Sequence, residues 1–402
     1  MAYSLKNLPP LYPRPLPPKA SRWLISLATM LAVSMILMRL FGRYIDGQDF
    51  WLLALGAPGF IWGVAVSGRL LIWMLKDITA NGFDKRREAW ILHETRRARR
   101  AMQVLGTSLV TGHPDNSCEE VVVAMLANQN IIASQVDWQG NEGQRLSRID
   151  AESGEIPAAV IERMLVQLIE DLPLTQLPDS ASLVVAFDVS SSCSLPDVYD
   201  AWRAAWDASE LALSVELAES GGLACLNRWL DNRIRDNALL LIIGLQVAPY
   251  QTDYSAEAAV ALLLGNRLTQ ETLLPHSLLH RPEPALPGQL EDGMCMAAYN
   301  VPLKEHAVTH LWLAGLSQVQ LADVVTHQQK YPLQDIAQEA VIALDNTMGH
   351  AGAAAPWLAI AAAAQVARDS QQSQIVICGD LTQDVLWSTL ITSEAYRKEM
   401  DS

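Results

Sequence analysis

The chain has few of the signatures that mark known chemistries. Its five cysteines, Cys118, Cys193, Cys225, Cys295 and Cys378, show no CxxC or CxC spacing. An odd, scattered set excludes a disulfide framework and a zinc ribbon, and it suits a reducing compartment. No GxGxxG, GxxxxGK[ST], HExxH or GxSxG occurs, so dinucleotide, P-loop, zincin and nucleophile-elbow mechanisms lack their minimum parts. His276 with His280 and His306 with His310 are i,i+4 pairs, which hold zinc only on a helix with a third ligand. HSLLHRP lies in a Pro-rich loop and HAVTH runs into a strand, so neither a metal nor a cofactor is expected. Charged residues are sparse, 18% against 50% hydrophobic over 402 residues. That much apolar material offsets the entropy of ordering and excludes disorder as the dominant state. The length allows roughly two to three domains.

Basic charge is concentrated at one end. Residues 1–100 carry 15 Lys/Arg and 6 Asp/Glu, a balance of +9, whereas the rest carries 14 and 38, a balance of −24. An acidic body is a poor partner for nucleic acid, since phosphate contacts need clustered Lys/Arg. The asymmetry points to a basic membrane-facing end and a soluble acidic body.

Two apolar stretches lie in the basic part. Trp23–Met38 has no charge, and Phe50–Leu75 has only Arg69. A span needs about 20 apolar residues, and both qualify once Arg39 and Arg69 snorkel to headgroups. Trp23, Tyr44, Trp51 and Trp73 sit near their ends, where aromatic belts lie. A Pro-rich polar leader precedes the first stretch and a second stretch follows it, a pattern unlike a cleavable signal peptide. The leader, residues 1–22, reads as a solvated polyproline-like tether, with a docking peptide for another protein as the alternative. Gly59, Gly63, Ser67 and Gly68 form a small-residue face that suits pairing with the first helix, with dimerisation as the second use. A basic helix is expected from Asp84 to Val104, with Ile91, Ala98, Met102 and Leu105 as its apolar stripe. Its Arg86, Arg87, Arg96, Arg97, Arg99 and Arg100 are read as lying on anionic lipid.

Beyond residue 105, strand-length apolar runs alternate with helical patterns, which points to an α/β layered fold. Leu183–Val189, Asn237–Val247, Ala256–Leu264, Leu311–Leu316 and Ile375–Cys378 read as strands. Ile156–Asp171, Pro196–Ala208, Leu333–Leu344 and Ala353–Ala367 read as helices. Val121–Leu126 suits either state. Asp231, Arg233, Arg235 and Asp236 read as a solvated turn. The expected domains are the leader 1–22, a membrane hairpin 23–75, a juxtamembrane helix 76–110, and α/β halves 111–235 and 236–402.

Three segments resemble the thiolase/β-ketoacyl synthase family. SAEAAVALLLG (Ser255–Gly265) is similar to a small-acidic-small strand motif of condensing enzymes. MGHAGAAAPWLAIAAAAQVA (Met348–Ala367) resembles their Gly-His-x-x-Gly-Ala-Ala motif leading into a buried helix, and SQIVICGD (Ser373–Asp380) resembles the strand that follows. The resemblance covers about residues 238–390. It implies a thiolase-like αβαβα domain, expected here to follow two N-terminal transmembrane helices, and it allows a homodimer. VVAFDVSSSCSLP places Cys193 where the family's nucleophile falls, and His350 matches a catalytic His. The chain departs from the family around both residues. Asp197 and Asp200 beside Cys193 would raise a thiol pKa, and ALDNTMGH has Asp345 and Asn346 where ketosynthases carry a Lys. These departures lead to the expectation of a noncatalytic body. An acyl-transfer enzyme using Cys193 and His350 is the alternative.

Residues 50–110 resemble the membrane-proximal region of proteins found among type VI secretion genes, including lipase-effector adaptors. That resemblance implies a bacterial inner-membrane accessory with an effector or spike protein as partner. An immunity or scaffold protein of the same locus is a further alternative. Basic flanks on both sides of the hairpin place the two termini in the cytoplasm. A reporter fused after Ser402 is expected to be active only in the cytoplasm, and alkaline phosphatase activity at that fusion would reverse the orientation.

Overall fold

The computed structural model describes residues 8–41, 47–114, 117–152, 154–218, 221–301, 303, 308–380 and 384–394. Tyr44, read above as an interfacial aromatic, lies outside them. They fall into two units, residues 4–95 and, in the main, residues 96–402.

The first unit is a helical hairpin. Helix α1 (Ala20–Phe41) is followed by α2 (Gly47–Trp51), which passes through a π-helical turn, Leu52–Gly56, into α3 (Ala57–Ala98). The widened turn sits where Pro58 has no N–H to offer the carbonyl four residues back. Both long helices are long and apolar enough to cross a membrane. Trp62 ties them by donating its indole N–H to the Trp23 carbonyl at 2.8 Å.

Among the described residues of the leader, 9–15 form a strap along α3 rather than a solvated tether. Trp73 Nε1 donates to the Pro15 carbonyl at 3.1 Å, and Arg14 donates to Asp84 at 2.8 Å. The Tyr12 N–H donates to the same carboxylate at 3.1 Å, and Arg87 donates to the Pro9 carbonyl. The lengths match. Residues 9–15 in polyproline geometry span about 19 Å, and residues 73–87 of a helix span about 21 Å.

The second unit begins earlier than the sequence suggests. The expected basic helix ends at Ala98, and β1 (Ala101–Thr111) follows at once, so Met102 and Leu105 are strand residues in the core. Two of the arginines read as lipid-facing are engaged inside this unit. Arg97 binds Asp231 through both carboxylate oxygens at 2.8 and 2.6 Å, Arg281 joins at 2.7 Å, and Arg100 donates to the Leu230 carbonyl at 2.7 Å. Asp231 therefore belongs to an ionic cluster, not a solvated turn. Burial pushes its pKa up, but the hydrogen bonds from Arg97 and Arg281 outweigh that and hold it well below the carboxylate range. Arg86, Arg96 and Arg99 are exposed.

Next come α4 (Cys118–Leu126), β2 (Ala133–Gln135), β3 (Gln144–Ser147), α5 (Pro157–Asp171), β4 (Ser182–Ser191), α6 (Leu195–Ala208) and β5 (Ser214–Ala218). The first half ends with α7 (Ala224–Asn232), β6 (Leu239–Val247), β7 (Ser255–Ala256) and β8 (Ala258–Asn266). The second half runs β9 (Ser277–His280), β10 (Glu283–Ala285), α8 (Leu290–Asn300), β11 (Val308–Ala314), α9 (Gln318–His327), β12 (Val341–Ala343), α10 (Leu344–Thr347), α11 (Ala355–Ser370), β13 (Ser373–Asp380) and β14 (Val385–Ser393). The expected helix at Leu333–Leu344 is not formed. Leu333 and Ile336 are buried from turns, and the β-branched pair Val341–Ile342 extends as an edge strand parallel to β11.

The main sheet has the order β12-β11-β13-β14-β9-β1-β8-β6-β4-β5. Within each half the strands, numbered along the chain, lie 1-5-4-2-3, with the same mixture of parallel and antiparallel pairs. The fold is thus duplicated, and its halves join where β1 pairs antiparallel with β9.

Strand periodicity sorts the core into layers. Val184, Ala186, Leu240 and Ile242 share one cluster with Trp312, Val376 and most of α11. Their neighbours Leu183, Val185, Leu239 and Leu241 face α5 and α6, while Leu311, Ile375 and Ile377 face α8 and α9. Because successive strand residues point to opposite faces, the result is helix, sheet, helix, sheet, helix, as the αβαβα expectation requires. The central layer is α11, whose small residues Ala359 and Ala361–Ala364 are all fully buried.

A Cβ added to Gly244 would lie 2.8 Å from Trp357 and 3.2 Å from the Ala354 backbone. Gly244→Ala and Ala354→Leu are each expected to destabilise the full chain by about 1–3 kcal/mol in denaturant unfolding. The exposed Val123→Ala is expected to stay within about 0.5 kcal/mol. Unchanged stability in Ala354→Leu would remove this contact from the core.

Candidate functional site

The loop between α10 and α11 shows why its sequence is Gly-His-Ala-Gly. Gly349 has φ +94°, and a Cβ there would lie 2.6 Å from the Ser255 carbonyl oxygen. That close approach lets the His350 N–H donate to the Tyr254 carbonyl at 2.8 Å and the Ala256 N–H donate to the His350 carbonyl at 3.0 Å. Gly352, at φ +51°, leaves room for the Gln246 side chain. Gln246 Nε2 donates to the carbonyls of His350 and Ala256 at 2.6 and 2.9 Å, and its Oε1 accepts from Ser190 Oγ at 2.7 Å. Ser190 Oγ in turn accepts the Ala353 N–H at 3.0 Å. The backbone of His350 is held from both sides.

Its half-buried ring faces a pocket of about 950 Å³ lined by Ser190, Ser191, Gln246, Asp345 and Tyr254, among others. His350 Nδ1 lies 3.7 Å from Asp345 Oδ1, while the Leu316 N–H donates to Asp345 Oδ2 at 3.1 Å. The Asp345 carboxylate raises the His350 pKa against the lowering effect of burial. When protonated, a histidine placed in this way donates a hydrogen bond into the cavity. It is the natural partner for a carbonyl oxygen that gains negative charge.

A second pocket of about 520 Å³ shares Val189 and Ser190 with the first and is walled by Gly221, Gly222, Gly352 and Ala353. These residues precede α7 and α11. In the duplicated topology those two helices are equivalent, since each joins the third strand of its half to the fourth. Cys225 is the second residue of α7. It is buried, and burial raises its pKa. Cys225 is not among the site residues expected from the motifs, although a cysteine just behind Gly221–Gly222 at a helix start is a signal visible in the sequence.

Cys193 lies in the turn between β4 and α6, where its N–H donates to Ser191 Oγ at 3.1 Å. It packs against the outer cluster with α5 and α6 and is not among the described residues lining either pocket. Cys193 and His350 are therefore not brought into one cavity. His280 is a buried strand residue bonded to Thr392 Oγ1 at 2.9 Å, and burial lowers its pKa to about 3. His306 lies outside the described residues.

No known family profile matches the sequence, and no curated protein matches it. Solved structures do. The PfaC keto synthase–chain length factor is similar over 73% of this chain, with a TM-score of 0.56 and 10% identity, and this chain spans 43% of it. The ishigamide ketosynthase/chain length factor is similar over 73% of this chain and 99% of its own, with a TM-score of 0.53 and 11% identity. Both are described as ketosynthase–chain length factor structures, and at 10–11% identity the likeness shows the fold alone. The expectation of a noncatalytic body is corrected to that extent, since the fold it shares is one of condensing-enzyme structures and gives no ground for excluding catalysis. The α/β body has a thiolase/ketosynthase-type fold.

Proposed function

We propose that this chain is a membrane-anchored acyl-transfer protein of the condensing type, with its body on the cytoplasmic side. The observation that carries the reading is the His350–Asp345 pair, fixed by a glycine loop over a pocket on a ketosynthase-type fold. In this reading a cysteine thiolate attacks the carbonyl carbon of an acyl thioester. His350 donates a hydrogen bond to the carbonyl oxygen as it becomes negative. The carbon–sulfur bond of the donor breaks, the acyl group stays on the cysteine, and the departing thiolate takes up the proton that the cysteine released. Cys225, at the start of the helix equivalent to α11, is the first acceptor to test, and Cys193, which packs on the outer layer, the second.

The secretion-accessory reading rests on the sequence pattern of residues 50–110 alone. The fold of the body favours acyl transfer.

Incubation of the full chain with an acyl-N-acetylcysteamine thioester is expected to add one acyl group by intact mass. Loss of the adduct in Cys193→Ala or in Cys225→Ala names the acceptor, and absence of any adduct on the unmodified chain overturns the reading. His350→Gln is expected to slow acylation about 100-fold, the usual cost of removing one oxyanion donor. Since the protonated ring is the donor and the thiolate is the attacking group, the rate per thiolate, after dividing out the thiolate fraction, should fall as pH rises through the His350 pKa. Asp345→Asn removes the group that raises this pKa, so the fall should move to lower pH. An unshifted profile would separate Asp345 from the chemistry.

A further inference from the structure

Cys225 sits in the apolar cluster around α11, a setting that disfavours a thiolate. The same helix supplies a cation to it. Arg228 follows three residues later, so the two side chains lie a turn apart on one face of α7. Long helical side chains lean back toward the N-terminus, and that of Arg228 does so. A Cβ added to Gly221 would lie 2.9 and 3.2 Å from its two terminal guanidinium nitrogens. The guanidinium therefore covers the start of α7, where the Cys225 N–H donates to the Gly222 carbonyl at 3.0 Å. Gly221 and Gly222 are walls of the smaller pocket. Asp188 stands on the other side of that turn. A Cβ on Gly222 would lie 3.8 Å from its Oδ2, which accepts the Trp357 indole N–H at 3.0 Å. Among the described residues, Arg228 on α7 and Asp188 on β4 are the charged groups that act on the thiol. Burial raises the Cys225 pKa most, Arg228 lowers it through its charge and a hydrogen bond, and Asp188 raises it.

We infer that Arg228 is the positioning residue of the Cys225 nucleophile, its guanidinium holding the negative sulfur at the start of α7 beside the smaller pocket. The inference rests on the acyl-transfer reading and adds to it the group that makes the attacking thiolate attainable. Arg228 is itself exposed, so its head keeps its hydration while reaching the buried sulfur.

The test is an alkaline titration of the full chain in an uncharged detergent. It follows thiolate absorbance as the difference between the parent and Cys225→Ser. Arg228→Gln is expected to raise the Cys225 pKa by about one unit, leaving roughly tenfold less thiolate at any pH well below it. Arg228→Lys keeps the charge and is expected to stay near the parent value. Asp188→Asn retains an acceptor for Trp357 and is expected to shift the pKa the opposite way, a change of sign that loss of structure would not produce. An unshifted pKa in Arg228→Gln, or no Cys225-dependent step before alkaline unfolding, overturns the inference. Neither result touches the acyl-transfer reading, which stands or falls on the thioester adduct. An adduct that survives Cys225→Ala and is lost in Cys193→Ala keeps that reading and removes Arg228 from it.

Discussion

The architecture of the body depends on one helix buried on every side. The α11 stretch from Ala359 to Ala364 has almost no solvent contact, and the helix shares a cluster with strands from both halves of the sheet. Two half-sheets approach the same helix only if its side chains are small, and at these distances extra methylenes force backbone shifts. The constraint reaches past the helix itself. Its N-terminus must meet β6 and β8 closely, so the preceding loop uses glycines at 349 and 352, and that geometry presents His350 to the pocket.

Polar residues complete what the apolar layers leave open. Gln246 and Ser190 satisfy loop groups that would otherwise be buried without partners. Glu257, between β7 and β8, does the same, accepting from Trp138 and from the N–H groups of Ala248 and Ile149. Asp231 gathers Arg97 and Arg281 at the start of the body. Each is a fully used hydrogen-bonding group, and removing one partner would strand the others in a low-dielectric setting.

Much of the layered fold was legible because buried strands read as continuous apolar runs and α11 is alanine-rich. β4, β6, β8, β13, α5, α6 and α11 fall where the pattern puts them. The misreadings share a cause. The apolar residues of β1 continue the spacing of the preceding basic helix, so periodicity extended that helix through Met102 and Leu105. Around Leu333–Leu344 the apolar spacing fits a helix, but the side chains reach the core from turns and an edge strand. The leader's prolines reveal their conformation but not the strap along α3, which depends on Arg14 meeting Asp84 across a separation of 70 residues.

The sequence by itself determined the charge asymmetry, the two long apolar helices, the alternation of strands and helices and the glycine–histidine loop, because each of these is local in the chain. The tertiary structure alone decided which groups share a cavity. It set His350 beside Asp345 and Ser190, left Cys193 on the outer layer, and brought Cys225 to the start of the helix equivalent to α11. Those outcomes follow from sheet order and helix placement, which long-range packing selects and no local spacing encodes.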